Sequence, residues 1–246
     1  MRYVSMALLS CCICQAVYAQ DVEEAGAPIN SFFQADGVFS QDKGQWQVST
    51  DVDLGHSHNT RSTETGLSLE YGITDNFQVS VEHMPYARYK DKTTGERLSG
   101  HGDTAIGMMK AWHNIGGSPN SVYVAYSRIL STNNLEGDKG KDSNDVAITM
   151  AHDLKRDKSQ QMTLQVGREF GGNAQVTYAN LAAYRKVAAK QVVTGEFNWD
   201  QNETWVTPGY YWLVGKGLDV GVGVAVAAGG DAEGHKVLGR LHYEWD

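Results

Sequence analysis

The stretch that decides the fold is LEYGITDNFQVSV, residues 69–81. Leu67, Leu69, Tyr71 and Ile73 alternate with polar or small residues up to Asp75-Asn76, and Phe77, Val79 and Val81 resume the alternation beyond it. Period-2 patterning on both sides of a short Asp/Asn turn predicts a β-hairpin. What lies against its apolar side is either a protein core or the tails of a bilayer.

Working outward, the same pattern recurs. In QWQVSTDVDL, Trp46, Val48, Thr50, Val52 and Leu54 share one face, and Gln45, Gln47, Ser49, Asp51 and Asp53 share the other. Such strict alternation belongs to a strand rather than a helix. Repetition predicts strands near 45–54, 64–73, 76–86, 101–112, 120–130, 144–154, 160–170, 174–185, 190–200, 203–214, 217–227 and 236–245. Each is close to the ~9–11 residues that a tilted strand needs to cross a bilayer. The least regular is the one containing ANLAAYRKVAAK (179–190), which also has helical propensity.

The links alternate in length along most of the chain as well, although GGN and DQNE are short where a long one is due. GHSHNTRST, ARYKDKTTGERLSG, STNNLEGDKGKDS and GGDAEGHK are long and polar, while TDN, NIGGSPN, KRDKSQ and GKG are shorter. Outer-membrane barrels have long outer loops and short periplasmic turns. Aromatic residues are sorted too. Trp46, Tyr71, Phe77, Trp112, Tyr184, Tyr243 and Trp245 fall at periplasmic strand ends, and Tyr86, Phe170, Trp199 and Trp205 at outer ends. Mid-strand apolar positions such as Val79, Met108, Val124, Ile148, Leu164 and Val222 are mostly aliphatic. Interfacial belts of Trp and Tyr explain that sorting, because each ring pairs an apolar body with a polar handle. The expected fold is therefore all-β: a single antiparallel transmembrane β-barrel of about twelve strands. An exported sandwich or a lipocalin-like barrel is the rival, since both also alternate.

Composition agrees with either class. The 246 residues carry a net charge of −8, and their mean hydropathy is −0.41. A barrel with a polar lumen reads as soluble on that average. MRYVSMALLSCCICQAVYAQ has one positive charge, an apolar stretch and a small-residue pattern at Val17-Tyr18-Ala19, which predicts a signal peptide over 1–19. The alternative is a lipoprotein signal at Leu8-Leu9-Ser10-Cys11. Cys11, Cys12 and Cys14 all lie in this leader, so its removal leaves no disulfide framework. It also leaves 20 basic against 29 acidic residues, a net −9 that argues against nucleic acid as a partner. Residues 20–44 then form an N-terminal periplasmic or lumen segment, with a short strand near Phe32–Phe39, and residues 45–246 form the barrel.

Several phrases resemble a known family. GVFSQDKGQWQVSTDVDL, EYGITDNFQVSV, GHGDTAIGMMKAW and GLDVGVGVAVAAGGDAEGHKVLGRLHYEW are similar to the outer-membrane barrels labelled MetA-pathway of phenol degradation, the YGITDN and Gly100-His101-Gly102-Asp103-Thr104 pieces most of all. The resemblance implies a channel-like barrel for passive passage of small solutes, including hydrophobic or aromatic compounds. It implies no catalytic residues. Leu241, Tyr243 and Trp245 keep the alternation that the barrel-insertion machinery reads in such proteins, although Asp246 follows.

On the lumen face the candidate pore-lining residues are Asp51, Asp53, Glu70, Glu82, Asp103, Glu196, Arg240 and Glu244. If the last strand closes on the first with Trp46 opposite Trp245, Asp51 meets Arg240 in a salt bridge. An acidic pore favours cations, whereas the plainer reading is side chains that fill and neutralise the lumen. Small inward residues on the fourth strand (Ala105, Gly107, Ala111) and the eleventh (Gly221, Gly223, Ala225, Ala227) accommodate a channel, an inserted segment or bulky neighbours. Arg128 and Arg168 have outward parity near outer strand ends, where they would contact lipid and lipopolysaccharide phosphates. Lys110 beside Trp112 reads as a similar snorkel on the periplasmic side. His56 and His58 have a two-ligand spacing with no third metal ligand evident. A lipid hydrolase would carry His-x-Ser-Asn, but Ser57 is followed by His58. No cofactor is expected. A closed structural barrel and, less favoured, a lipid-acting hydrolase remain the alternatives to a channel.

Overall fold

The structure, a computed structural model, describes residues 29, 31–135, 140–172, 175–215 and 217–246. The expected leader over 1–19 and the first part of the N-terminal segment lie outside the described residues.

The alternating runs form strands β1 (Trp46–His56), β2 (Thr60–Thr74), β3 (Phe77–Asp91), β4 (Arg97–Gly100), β5 (Thr104–Trp112), β6 (Asn120–Leu130), β7 (Ser143–Asp153), β8 (Gln160–Phe170), β9 (Val176–Ala188), β10 (Gln191–Asp200), β11 (Glu203–Gly215), β12 (Leu218–Gly230) and β13 (His235–Trp245). Consecutive strands pair antiparallel, except that β4 and β5 both pair with β3. β1 also pairs with β13, which closes the sheet into a barrel. β3 pairs with β5 along its lower half and with β4 along its upper half, so β4 and β5 share one position and the wall has twelve staves.

That division corrects the strand expected over 101–112. Pro85 has no N–H to donate to the ladder. There the β2–β3 register jumps from Thr65↔Tyr86 to Leu67↔His83. Facing this bulge, Gly102 donates to Met84 O at 2.8 Å and Met84 donates to Asp103 O at 3.3 Å, so His101–Asp103 leave the ladder. Two expected long loops are also shorter than their polarity suggests. β1 and β2 run on until only residues 57–59 remain between them, and β3 continues to Asp91. Above the apolar zone both strand faces are polar, so the ladder persists where hydrophobic alternation no longer marks it.

Burial is inverted relative to a water-soluble barrel. Thr149, Thr207 and Gln161 are at most 1% exposed inside, while Ile106, Met108 and Val222 are about half exposed outside (50%, 48% and 52%). Apolar side chains ringing the outside around a buried polar interior require lipid as the outer medium. Trp46, Tyr71, Tyr243 and Trp245 form one arc of an aromatic girdle, with ring centroids 4.5–6.5 Å apart between neighbours. Trp112 and Trp212 also face outward at that end, and Phe170, Trp199 and Tyr86 toward the other. Two expected girdle members face inward instead. Tyr184 shares its parity with Asn180 and Ala182, and Trp205 shares its parity with Thr207 and Tyr211; both are buried in the lumen.

Candidate functional site: a lumen occupied by the N-terminal segment

β1 begins at the periplasmic rim, and the chain before it turns into the barrel. Gly44 donates to Gly72 O at 2.8 Å, and Gly72 donates to Gln45 O at 3.0 Å. A Cβ on Gly72 would come within 2.0 Å of Asp42 O, so glycine is required for this approach. Further in, the Gln41 N–H donates to Gln78 Oε1 at 2.8 Å, and its side-chain amide donates to Gln47 Oε1. Gln47 and Gln78 in turn donate to the two Glu70 oxygens at 3.1 and 2.6 Å. Val38 then packs with Ala111, Tyr123 and Ala151.

Asp36 accepts hydrogen bonds from Tyr123 Oη at 2.6 Å and Gln165 Nε2 at 2.7 Å. Here the segment reverses. Phe32 donates to Ala35 O at 3.0 Å, and a single bridge joins Ser31 and Asp36. A turn thus replaces the short strand expected near Phe32–Phe39. Its backbone N–H groups converge on one carboxylate, with Phe33 donating to Glu196 Oε1 at 2.9 Å and Gln34 and Ala35 to Oε2 at 2.8 and 3.0 Å. From the opposite wall Arg240 donates to Ser31 Oγ at 2.7 Å and to Phe32 O, while its Nε lies 2.5 Å from Asp51 Oδ1. The β1–β13 register sets Trp46 opposite Trp245 and Asp51 opposite Arg240.

The inward glycines have a steric partner. A Cβ on Gly209, Gly221 or Gly223 would come within 2.6–3.0 Å of the Phe33 ring. That ring also lies 4.9 Å from Tyr211. Ile29, Phe32 and Ala35 complete the cluster with Ala182, Tyr184, Val192 and Tyr211. The small residues of β12 therefore accommodate the inserted segment.

Two cavities flank the turn. On the outer side Gln34 and Asp36 form part of a 380 Å³ vestibule with Tyr178, Asn198, Trp205 and Lys236. The Lys236 ammonium lies 4.7 Å from the centre of the Trp205 ring. Beside the segment a 120 Å³ crevice is bordered by Asp36, Glu70, Glu82, Tyr123 and Asp145.

The remaining candidates disperse. Asp53 has lumen parity one step outward of Asp51. Glu244 lies at the periplasmic end, 3.3 Å from His242 Nε2, and His242 Nδ1 lies 2.9 Å from Asp219. Asp103 stands between β4 and β5 at the outer rim rather than on a strand facing the lumen. Its carboxylate accepts from Asn133 N and Nδ2 at 3.1 and 2.9 Å, tying the β6–β7 loop down. Arg128 and Arg168 face outward. Arg128 pairs with Asp142 at 2.9 Å and Arg168 donates to Gln175 at 2.7 Å. The Ser131 N–H and Arg128 hold the Asp142 carboxyl below its ordinary range. Lys110 donates to Asn76 Oδ1 at the periplasmic rim. Ser57 Oγ accepts the Thr60 N–H at 3.0 Å within the β1–β2 turn, and the His56 ring lies 5.4 Å from that of His235.

Asp36, Phe33, Tyr123 and Tyr211 are site residues that strand parity does not announce. The one available signal was the apolar pairs Phe32-Phe33 and Val38-Phe39 in an otherwise polar leader-proximal stretch.

No family model matches the chain, and no curated protein matches it in sequence. Solved structures do match in fold. An outer membrane channel from Pseudomonas putida F1 superposes with a TM-score of 0.65 at 10% identity, over 85% of this chain and 98% of that one. The KdgM porin gives 0.59 at 8% identity, over 81% and 99%. The NanC porin gives 0.55 at 9%, over 82% and 99%. With the inverted burial and the girdle, this makes the chain a β-barrel of the bacterial outer-membrane kind.

Proposed function

We propose that the protein is a passive outer-membrane channel for small solutes, with its bore set by the N-terminal segment. The observation that carries this reading is the polar interior, which opens outward as a vestibule and narrows at a turn held by noncovalent polar contacts. On this reading Asp53, Glu82 and Asp145 set a cation-favouring field. Asp51 and Arg240 offset one another, and Glu70, Glu196 and Glu244 organise the interior. Trp205 and Lys236 offer a vestibule surface for small aromatic or anionic solutes. That agrees with the hydrophobic or aromatic compounds implied by resemblance to the phenol-degradation family, in which we place the chain on its YGITDN and GHGDT phrases. The KdgM porin has been solved with disordered oligogalacturonate.

The accompanying organisation is a leader over 1–19 that is removed on export, a lumen segment over 20–44 and a barrel over 45–246. The C-terminal strand would be read by the insertion machinery, and Arg128 and Arg168 would meet lipid and lipopolysaccharide at the outer interface. No catalytic role is assigned, since Ser57 serves a turn. A closed structural barrel is the second reading, favoured by the packing of Phe32, Phe33 and Val38 inside the wall. Liposome swelling separates them. Sugar- or amino-acid-sized solutes enter liposomes carrying an open channel, and a closed barrel admits none.

A further inference from the structure

The wall formed by β13, β1, β2, β3 and β4 carries an arrangement that neither the channel nor the barrel requires. At the outer end of these strands five basic or titratable side chains stand in direct cross-strand register. His235 is opposite His56, His56 opposite Arg61, Arg61 opposite Lys90, and Lys90 opposite Arg97. Directly opposed residues point to the same side of a sheet. His56 has the parity of Val52 and Leu54, which face lipid, so the whole row faces outward. At strand spacing it spans about 19 Å. One step below it come Val237, Leu54, Thr63, Arg88 and Ser99 in the same register. The row therefore sits just above the last apolar residues of β1 and β13, with Arg88 adding a further charge beneath it.

Among the described residues no ion pair neutralises the arginines and lysine of this row, although Asp231 and Glu233 border the cavity beside His56 and His235 at its end. Among the described residues Arg61, Arg88, Lys90 and Arg97 make no ion pair and no side-chain hydrogen bond. Asp91 has the opposite parity, and its carboxylate is occupied by the Thr93 and Thr94 N–H groups at 2.6 and 2.8 Å. Lys92 adds to the excess, with its ammonium 3.3 Å from His56 Nε2. Like charges directly opposite on a sheet are destabilising. Here three lie side by side, on strands that continue beyond the bilayer.

We propose that this row is a binding site for the phosphate groups of lipopolysaccharide in the outer leaflet. The height suits a headgroup and the outward parity excludes a solute in the lumen. Arginine side chains bind phosphate through paired charge-assisted hydrogen bonds, and a bound anion removes the repulsion. Arg128, by contrast, already has Asp142.

The test compares the full-length protein with Arg61→Gln/Lys90→Gln/Arg97→Gln in detergent micelles containing EDTA, with purified lipid A as the probe. Folding is followed by heat-modifiable gel mobility. Without lipid A the variant resists heat at least as well as the parent. Lipid A raises the unfolding temperature of the parent, and the variant binds it about tenfold more weakly or worse. Dephosphorylated lipid A gives no rise, and inorganic phosphate at equal concentration does not compete. Equal binding by the variant, an equal rise with dephosphorylated lipid A, or full competition by inorganic phosphate overturns the assignment. Should the triple variant fail to fold, Lys90→Gln alone removes the central charge and must still weaken binding. Because the row lies outside the lumen, conductance is the same in parent and variants, so a failed channel reading leaves this test intact.

Discussion

Replacing Glu196 by glutamine tests how the N-terminal segment is held. The carboxylate accepts three backbone N–H groups, from Phe33, Gln34 and Ala35, at 2.8–3.0 Å. A glutamine amide keeps the shape but presents one acceptor oxygen and turns an NH2 group toward donors. Gln34 and Ala35 share one oxygen, so at best those two bonds survive, weakened, and at worst two of the three are lost. Hydrogen bonds to a charged group are worth about 1.5–3 kcal/mol each, so two come to roughly 3–6 kcal/mol as an upper bound, because lumen water solvates the released groups. At about 1.4 kcal/mol per decade, the unseated population rises by roughly one order of magnitude if a single bond is lost and by at most about two to four if two are. Ala35 is 2% exposed when seated, so a cysteine there reports unseating through its maleimide-labelling rate. Cys11, Cys12 and Cys14 are replaced by serine in this background. When reseating is fast, the labelling rate follows the open population. A Glu196→Gln rate within threefold of the parent, in a folded barrel, would refute the idea that this carboxylate seats the turn.

Three further outcomes follow from the same contacts. Gly223→Val pushes methyl groups into the Phe33 ring, which already lies 3.0 Å from where a Cβ would sit; it accelerates the same labelling, equivalent to about 1–3 kcal/mol of overpacking, and adding Phe33→Ala cancels most of the effect. Arg240→Met leaves Asp51 without its partner and lowers stability in urea by about 2–3 kcal/mol, below the fully buried range because the Asp51 side chain keeps 30% exposure, while Asp51→Asn/Arg240→Met recovers part of the loss. Asp53→Asn/Glu82→Gln shifts the reversal potential in a salt gradient toward zero from a cation-preferring value; anion preference in the parent would defeat the field assigned to these carboxylates.

The wall was legible because its signal is local. A residue alternating against lipid reports its own face, so strand order, the closing register and the Asp51–Arg240 pairing all followed from counting parity between Trp46 and Trp245. Parity also misled where side chains of one type serve two faces. Tyr184 and Trp205 read as girdle residues because they are aromatic and terminal, yet their neighbours Ala182 and Thr207 mark the lumen side. The interior was much less legible. Phe33 and Gly223 are 190 residues apart in the chain, and nothing local announces that one fits the other. Likewise, Glu196 was recognised as an inward carboxylate, but its partners are backbone N–H groups, which every residue except proline possesses. The basic row was hidden because Arg61, Lys90 and Arg97 look like ordinary solvated loop charges until the register sets them side by side.

The channel reading meets its most direct test in the single-channel conductance of the refolded protein in a planar bilayer, after heat-modifiable mobility has confirmed the folded barrel. The reading predicts small discrete current steps in the parent, enlarged by Glu196→Gln. Silence from inserted, folded protein, with the segment seated and with it released, would contradict it and leave a closed barrel.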